Sequence, residues 1–354
     1  MKARMIRDGI FWVGAVDWDR RLFDSLIPLP DGTSYNAYLV RGSEKTALID
    51  TVDPTMTAVL FDRLDDLGIG NLDFVVVNHA EQDHSGSLPQ VLARHPETKI
   101  VTNQICKRFL IDLLHVDEGR FITVEDGETI SLGDKHLQFI FTPLVHWPET
   151  MGTYVPEDRI LFSGDFFGSH IATSKLYAGE EEGRVYEATK RYFAEIMMPF
   201  RPTIRKNLDK VQGLSLDLIA PTHGVIRDDI AAVLECHRDW VSDNVSNTVV
   251  LPFVSMHGST LAMVDCLTET LVDQGVRVEK INLTGADLGK LAEALVDAAT
   301  IVIGSPTVLG GAHPLAVSAA FLANALRPKV KFASIIGSYG WGGKTVEQIT
   351  GLIS

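Results

Sequence analysis

The chain has few cysteines. Of its 354 residues only three are cysteine, at positions 106, 236 and 266, and no two of them form a Cys-x-x-Cys pair. A disulfide framework needs more cysteines, and a rubredoxin-type or iron–sulfur centre needs closely spaced ones. We therefore expect neither within this sequence.

Positive charge and long apolar runs are also scarce. Lysine and arginine total 32 against 46 acidic residues, which gives a formal net charge of −14. Nucleic-acid partners select basic patches, so we expect neither a nucleic acid nor an anionic membrane as partner. No apolar run approaches the roughly 18 residues that a spanning helix needs. The apolar stretch 10–16 ends at Asp17, too soon for a signal peptide. We expect a cytoplasmic protein that meets small molecules or a redox partner.

What the sequence does contain is a dense group of metal-binding side chains. The segment His79-Ala80-Glu81-Gln82-Asp83-His84 directly follows Phe74–Val77, a short β-branched run typical of a buried strand. Four polar or charged groups within six residues are costly to bury unless they are paired, and a metal resolves that cost. Imidazoles with carboxylates and no thiolate suit zinc, iron or manganese. The extra carboxylate, compared with a simple zinc hydrolase, favours iron.

Three more ligand-type residues follow predicted strands. His146 comes after strand 137–142, Asp165 after strand 159–163 and His223 after strand 216–220. Open α/β sheets place their sites at the carboxyl ends of strands. A lone histidine at a strand end is more often structural, but together with the 79–84 segment these residues make seven candidate ligands. Seven ligands suit two metals with positions left for substrate.

The order of predicted strands and helices along the chain indicates two domains. Residues 1–245 alternate many strands with fewer helices, which predicts an α/β sandwich with helices at 55–67, 87–94 and 186–198. A small polar stretch, 242–247, then marks the boundary. Residues 246–354 alternate strictly between strand and helix, which predicts a doubly wound parallel sheet. Four strands are visible there, and a five-stranded fold would need about 40 more residues, so we expect its last strand and helix to be missing.

Three loops of the second domain suit a flavin. The loop 255–260 offers hydroxyls and free N–H groups at a helix N-terminus, as a phosphate requires, although a serine-rich helix cap is the plainer alternative. Two glycine-rich loops, 304–311 and 337–343, follow later strands, and glycine lets backbone approach a flat ring. Trp341 would edge that ring, or would simply be a packing aromatic. The candidate cofactor-binding residues are Ser255, Met256, His257, Gly258, Ser259, Thr260, Pro306, Thr307, Val308, Gly310, Gly311, Ser338, Tyr339, Gly340, Trp341 and Gly342.

The remaining histidines and one tyrosine carry weaker hypotheses. His170 follows Asp165 by five residues and is a candidate for supporting a ligand from behind. Four other histidines, at positions 95, 115, 136 and 237, lie in polar stretches and are expected to be exposed.

With these motifs in place, the chain resembles the flavodiiron proteins, or A-type flavoproteins. In that family a metallo-β-lactamase-like αββα sandwich with a diiron site precedes a flavodoxin-like domain that carries flavin mononucleotide (FMN). The likeness covers essentially the whole chain and rests on the segments 79–84, 144–148, 163–165 and 221–224 and on the three loops. The resemblance implies one iron bound by His79, Glu81 and His146, a second bound by Asp83, His84 and His223, and Asp165 as a bridge. Tyr192 would then be a hydrogen-bond donor near the irons, or equally a core tyrosine.

The resemblance also implies a function. Members reduce dioxygen to water, nitric oxide to nitrous oxide, or both, with electrons from rubredoxin or a reduced deazaflavin coenzyme relayed through FMN. They form head-to-tail homodimers or dimers of dimers. Two other interpretations compete with this one. The first is a binuclear zinc hydrolase with an accessory nucleotide-binding domain, and the second is an electron-transfer or regulatory flavoprotein whose metal site has decayed. Glu81 and the three flavin loops argue against the hydrolase, and the complete ligand set argues against a decayed site.

Overall fold

The computed structural model describes residues 1–353, so Ser354, the last residue of the predicted second domain, lies outside the described residues. The described chain divides into two compact units. The first comprises Met1–Arg21, Leu29–Thr189 and Pro202–His237, and the second comprises Leu22–Pro28, Lys190–Arg201 and the chain from Arg238 onward. The domain boundary that we place between residues 245 and 246 remains a proposal. No described helix combines the length and apolarity that crossing a membrane requires.

The first 245 residues contain sixteen short strands. They are β1 (Arg4–Arg7), β2 (Ile10–Trp12), β3 (Ala15–Asp17), β4 (Leu22–Phe23), β5 (Ile27–Pro28), β6 (Thr33–Tyr35), β7 (Tyr38–Arg41), β8 (Thr46–Ile49), β9 (Phe74–Val76), β10 (Lys99–Thr102), β11 (Phe121–Thr123), β12 (Thr129–Ser131), β13 (His136–Phe141), β14 (Met151–Val155), β15 (Ile160–Phe162) and β16 (Leu218–Ala220). The helices between them are α1 (Thr57–Asp66), α2 (Gln82–Ser85), α3 (Leu88–Arg94), α4 (Gln104–Leu114), α5 (Glu182–Tyr192), α6 (Arg201–Gln212) and α7 (Ile230–Val241).

Two sheets form the body of the first unit. One has the order β1-β2-β7-β8-β9-β10-β11 and the other the order β12-β13-β14-β15-β16. Apolar side chains from both sheets share one buried cluster, in which Val76 and Val101 of the first sheet accompany Phe139 and Phe162 of the second. A second cluster packs helices such as α1 and α4 onto the first sheet through Leu60 and Leu110. This is the expected α/β sandwich, and the strands predicted at 74–77, 137–142, 159–163 and 216–220 are present as β9, β13, β15 and β16.

Two parts of this unit differ from the sequence prediction. About half of the first 41 residues form short strands, β1 to β7, which were not predicted because most of them contain a charged residue or a proline and so form no continuous apolar run. The predicted helix 186–198 is instead α5, which ends at Tyr192, followed by a π-helical turn over Phe193–Met197. A π-turn keeps the apolar spacing of a helix closely enough that sequence periodicity does not distinguish the two.

The second unit contains the predicted parallel sheet. Its elements are β17 (Ser246–Phe253), α8 (Ser259–Asp273), β18 (Arg277–Asn282), α9 (Leu288–Leu295), β19 (Ala298–Val308), β20 (Gly311–Ala312), α10 (Pro314–Ala325), β21 (Phe332–Ser338) and α11 (Thr345–Thr350). The parallel strands lie in the order β18-β17-β19-β21. With β17 as the first strand this is the order 2-1-3-4, the beginning of the flavodoxin-like arrangement.

The second predicted flavin loop is a β-hairpin rather than a loop. The strand before it, β19, continues to Val308 instead of ending where the predicted loop begins at 304, so Pro306, Thr307 and Val308 are strand residues that precede the short antiparallel β20. The two-residue turn consists of Leu309 and Gly310, both with positive φ, at 53° and 79°. Such a turn matches the twist of a hairpin. The glycine therefore signals a tight turn at this point, and the strand extends further than its composition suggested.

The expectation that His237 is exposed is wrong. Its ring is buried on α7 and meets the ring of Phe167 edge-on, with the centroids 4.7 Å apart. Its Nδ1–H donates to the carbonyl oxygen of Val233 at 2.8 Å. Polar neighbours hide the fact that this position faces inward on the helix. Burial lowers the pKa of His237 to about 3, against a smaller opposing effect of the Val233 hydrogen bond.

This shift predicts a specific loss of stability in acid. Because the folded-state pKa lies below the ordinary value of 6.5, the unfolded chain binds more protons than the folded chain as the pH falls from 6.5 towards 3. The His237→Gln variant should therefore lose less stability over that window than the parent protein. The urea midpoint, measured by circular dichroism at several pH values, tests this. If the urea midpoint fell equally with pH in the two proteins, the prediction would be wrong.

Candidate metal centre

The structure brings all seven predicted ligands together in the first unit. They form two groups in which the potential ligand atoms lie within 4.8 Å of one another. The first group is His79, Glu81, His146 and Asp165, and the second is Asp83, His84 and His223. Strand ends explain the convergence. The 79–84 segment follows β9, whereas the other three residues follow β13, β15 and β16 of the second sheet.

The first group is arranged around two carboxylates. Nε2 of His146 lies 2.8 Å from Oε2 of Glu81 and 2.8 Å from Oδ2 of Asp165. Nε2 of His79 lies 3.5 Å from Oε2 of Glu81 and 3.4 Å from Oδ2 of Asp165. Two imidazole nitrogens and two carboxylate oxygens therefore face a common point.

The second group is equally compact. Oδ2 of Asp83 lies 3.1 Å from Nε2 of His84 and 3.1 Å from Nε2 of His223. The two imidazole nitrogens are themselves 3.1 Å apart. Nδ1–H of His223 donates to the carbonyl oxygen of Ser34 at 2.6 Å. That hydrogen bond fixes the tautomer and leaves the lone pair of Nε2 directed at Asp83.

Asp165 joins the two groups. Its Oδ2 is the oxygen near His146 and His79, whereas its Oδ1 lies 3.3 Å from Nε2 of His84. The hydroxyl of Thr222 donates to the same Oδ1. One carboxylate thus presents one oxygen to each group, which is the arrangement required of a bridging ligand.

Charge explains why these groups lie together. Burial alone would lower the pKa of His84, but the carboxylates of Asp83 and Asp165 outweigh it and raise the pKa to about 10. Burial would also lower the pKa of His146, but the carboxylates of Asp165 and Glu81 outweigh it and raise the pKa to about 9. In return, the surrounding imidazoles outweigh burial and hold the pKa of Asp165 well below its usual range. The carboxylates therefore require positive charge at this point.

The chemistry of the donor set fits two metal ions. Nε2 of His79 and both side-chain oxygens of Asp83 are buried without a well-formed hydrogen bond among the described residues. Such atoms normally find partners, and a metal cation is a partner that needs no hydrogen. Imidazoles with carboxylates and no thiolate suit iron, manganese or zinc. The assignment of these seven residues as metal ligands stays a prediction on this geometry.

His170 lies where a supporting residue would be. Its ring lies 4.6 Å from that of His223, centroid to centroid, and its Nδ1 is 2.9 Å from the hydroxyl of Thr33. Burial, with the neighbouring imidazole of His223, lowers the pKa of His170 well below its usual range. A neutral ring is therefore packed against a candidate ligand. Tyr192 belongs to the second unit, where it is buried at the end of α5, and its predicted role stays a prediction.

Sequence reasoning missed a buried amide network behind the ligands. Asp50, at the end of β8, accepts hydrogen bonds from the backbone and side-chain N–H groups of Asn78, at 2.8 and 2.7 Å. Thr153 of the other sheet donates to the side-chain oxygen of Asn78 at 2.8 Å. Asn78 immediately precedes His79, so this network fixes the exit of β9. The Asp at the end of an apolar strand in Leu48-Ile49-Asp50 was the available signal.

The segment 255–260, predicted to bind a phosphate, leads into the N-terminus of α8. α8 begins after Gly258, whose φ of 86° only glycine adopts readily. Ser255 accepts a hydrogen bond from the N–H of Leu261, and no described residue accepts one from the N–H of Ser259 or Thr260. These two N–H groups remain available to a phosphate. The hydroxyl of Thr260 lies 3.0 Å from that of Ser338, so the first and third loops meet.

Beside these loops lies a cavity of about 370 Å³, within the size range of cofactor sites. Its lining includes the predicted residues Thr307, Ser338 and Tyr339, and adds Ser305 and Thr345, which were not predicted. Tyr339 and Trp341 are 76% and 88% exposed, so the structure does not place either of them in a packed interior. Packing within the chain therefore does not account for these aromatics, and their contact with a flavin stays a prediction.

Comparison with known proteins gives consistent matches. The family model described as "ODP family beta lactamase" matches residues 33–224, more than half of the chain. A nitric oxide reductase of Moorella thermoacetica is 36% identical over 349 residues, which cover 96% of this chain and 86% of that protein.

Two solved structures are similar over nearly the whole chain. The rubredoxin oxygen:oxidoreductase of Desulfovibrio gigas has a TM-score of 0.94 at 30% identity, with 99% of this chain and 90% of that chain covered. The flavodiiron protein of Giardia intestinalis also has a TM-score of 0.94, at 29% identity, with 100% and 87% covered.

The two groups predict distinct effects of ligand loss. His146→Ala removes a member of the first group alone and should leave about half of the bound metal. Asp165→Asn keeps the shape but removes the charge shared by both groups, so it should weaken binding at both. Asp112→Asn on the exposed face of α4 is the matched control. Metal content after dialysis, measured by mass spectrometry, tests this, and unchanged content in both site variants would show that the ligand set is wrong.

Proposed function

This chain belongs to the flavodiiron protein family, and on that premise we propose that it reduces dioxygen to water, nitric oxide to nitrous oxide, or both. The observation that carries the proposal is the position of Asp165, whose two oxygens face separate groups of ligand atoms. Such a carboxylate suits a pair of metal ions, and oxidoreductase chemistry agrees with the names of the similar proteins.

We propose two irons and one FMN as cofactors. His79, Glu81 and His146 would hold one iron, Asp83, His84 and His223 the other, and Asp165 would bridge them. The loops at 255–260, 304–311 and 337–343 would hold FMN. When bound, the iron pair supplies coordination sites for both atoms of dioxygen or for two nitric oxide molecules, and FMN supplies electrons one at a time.

The burial of the ligands indicates where a gas molecule reaches the centre. His79 and His84 are fully buried, and Asp165 is nearly so. The side chains of Glu81 and His146 are 12% and 16% exposed. The centre therefore opens to solvent along the edge formed by Glu81 and His146. The buried ligands, such as His79, His84 and Asp165, hold the charge of the site away from solvent.

The reactions need electrons and protons from outside. Dioxygen takes up four electrons and four protons to give two waters, and two nitric oxide molecules take up two of each to give nitrous oxide and one water. We propose that a separate carrier, a rubredoxin or a reduced deazaflavin coenzyme, supplies the electrons. A head-to-tail homodimer or dimer of dimers, and a cytoplasmic location, are further proposals that follow from the resemblance and the composition.

A binuclear zinc hydrolase of the metallo-β-lactamase superfamily is not favoured. The nitric oxide reductase and the rubredoxin oxygen:oxidoreductase, to which this chain is similar over nearly its whole length, are oxidoreductases by name. The glycine-rich loops and the cavity of the second unit, which suit a flavin, also argue against a hydrolase.

The proposal predicts the properties of the purified protein. We expect a yellow protein with about two irons and one FMN per chain, since seven donors suit two metals. Once reduced under anaerobic conditions, it should consume dioxygen or nitric oxide. Metal analysis, an absorbance spectrum and a gas electrode measure these properties. Zinc without flavin would contradict the assignment and support the hydrolase instead.

A charge placed at the N-terminus of α8 should remove FMN while the metal centre stays. Ser259→Glu puts a carboxylate where the free N–H groups would meet a phosphate, so it should lower FMN affinity by about tenfold or more. Thr270→Glu, near the other end of the same helix and also exposed, is the matched control. Fluorescence of released flavin and iron content, measured on the same samples, separate the two effects. Retention of FMN by Ser259→Glu would place the phosphate elsewhere.

A further inference from the structure

A buried glutamate outside the ligand set connects two ligand-bearing segments. Glu149 follows His146 by three residues in the connection between β13 and β14 and is only 3% exposed. Its Oε1 accepts a hydrogen bond from the backbone N–H of Ala80 at 3.0 Å. Ala80 lies between the candidate ligands His79 and Glu81. One carboxyl group therefore fixes the segment 79–81 relative to the connection that carries His146.

The second peptide group of Ala80 is fixed as well. The hydroxyl of Ser85, which is fully buried, donates to the carbonyl oxygen of Ala80 at 2.7 Å. The N–H of Ala80 belongs to the peptide that joins it to His79, and its carbonyl belongs to the peptide that joins it to Glu81. Holding both peptides sets the two backbone dihedrals of Ala80. These dihedrals decide in which directions the side chains of His79 and Glu81 leave the chain.

Glu149 is itself held from behind. The side-chain amide of Asn103 donates to the backbone carbonyl oxygen of Glu149. The side-chain oxygen of Asn103 in turn accepts the N–H groups of Ile105 and Cys106 at the start of α4, at 3.1 and 3.0 Å. A helix N-cap therefore anchors the backbone of Glu149, and the position of its carboxyl group does not depend on the side chain alone.

The carboxyl group is costly where it lies. Its Oε2 is buried and has no hydrogen-bond partner among the described residues. A buried polar atom without a partner destabilises the folded protein relative to a satisfied one. An apolar side chain of similar size would fill the space without this cost. What the carboxyl group provides at this position is the hydrogen bond to the N–H of Ala80. The residue therefore serves the site rather than the packing.

We infer that Glu149 is a positioning residue for the first ligand group, His79, Glu81, His146 and Asp165. It acts through the backbone of Ala80, and it orders that group relative to the connection that supplies His146. The second group is held by other contacts, such as the hydrogen bond from His223 to Ser34. The inference rests on the proposed function only in that these side chains bind metal.

The test is a Co²⁺ titration of the metal-free protein, followed by visible absorption. In a His223→Ala background the second group is disabled, so binding reports the first group, and in a His146→Ala background binding reports the second. Glu149→Met should weaken Co²⁺ binding about tenfold in the first background and leave it unchanged in the second. Glu149→Gln, which keeps an oxygen for the N–H of Ala80, should restore most of the affinity. Glu125→Met, an exposed glutamate of the same unit, is the matched control.

Three results would overturn the inference. These are unchanged Co²⁺ binding in Glu149→Met, an equal loss of binding in both backgrounds, and a Glu149→Gln variant no better than Glu149→Met. Near-ultraviolet circular dichroism of the metal-free variants shows whether a loss reflects general unfolding. Failure of the parent protein to bind any Co²⁺ would instead overturn the proposed metal centre, and this inference with it.

Discussion

The structure of the first unit depends on burying three carboxylates and four imidazoles at one place. Asp165 is the centre of this arrangement, because each of its oxygens faces a different group of imidazole nitrogens. Buried charges of one sign repel one another and lose their hydration, so the site is stable only with positive charge between them. The shifted pKa values of His84 and His146 show how strongly the carboxylates attract that charge. A pair of metal cations answers the same demand.

The same rule of sheet architecture places the candidate site in each unit. In the first unit the candidate ligands follow β9, β13, β15 and β16, and in the second the predicted flavin segments lie at or after the carboxyl ends of β17, β19 and β21. Strand ends are suitable because the strands are rigid while the connections after them vary freely in sequence. Under the proposed function, electron entry and gas reduction would fall to different units of one chain.

Around the candidate ligands, several hydrogen bonds hold the backbone and one of the rings in place. Asp50 fixes the exit of β9 through Asn78, Ser34 fixes the ring of His223, and Glu149 with Ser85 fixes the peptides of Ala80. Small displacements of a ligand weaken a metal site, so these contacts matter as much as the ligands themselves. They come from segments far apart in the chain, which is why most of them have no sequence signature.

The sequence by itself determined the class of fold, the type of chemistry and the candidate ligands, because each is carried by local patterns. A β-branched run followed by His-Ala-Glu-Gln-Asp-His predicts both a strand and a metal site at its end. The regular β–α alternation after residue 246 predicts the parallel sheet. Only the tertiary structure decided which oxygen of Asp165 faces which group, that His237 is buried, and that Glu149 reaches Ala80. It also showed that Pro306–Val308 extend a strand and that the chain after Tyr192 forms a π-turn. Each of these depends on what lies opposite a residue in space, and neither composition nor periodicity along the chain contains that information.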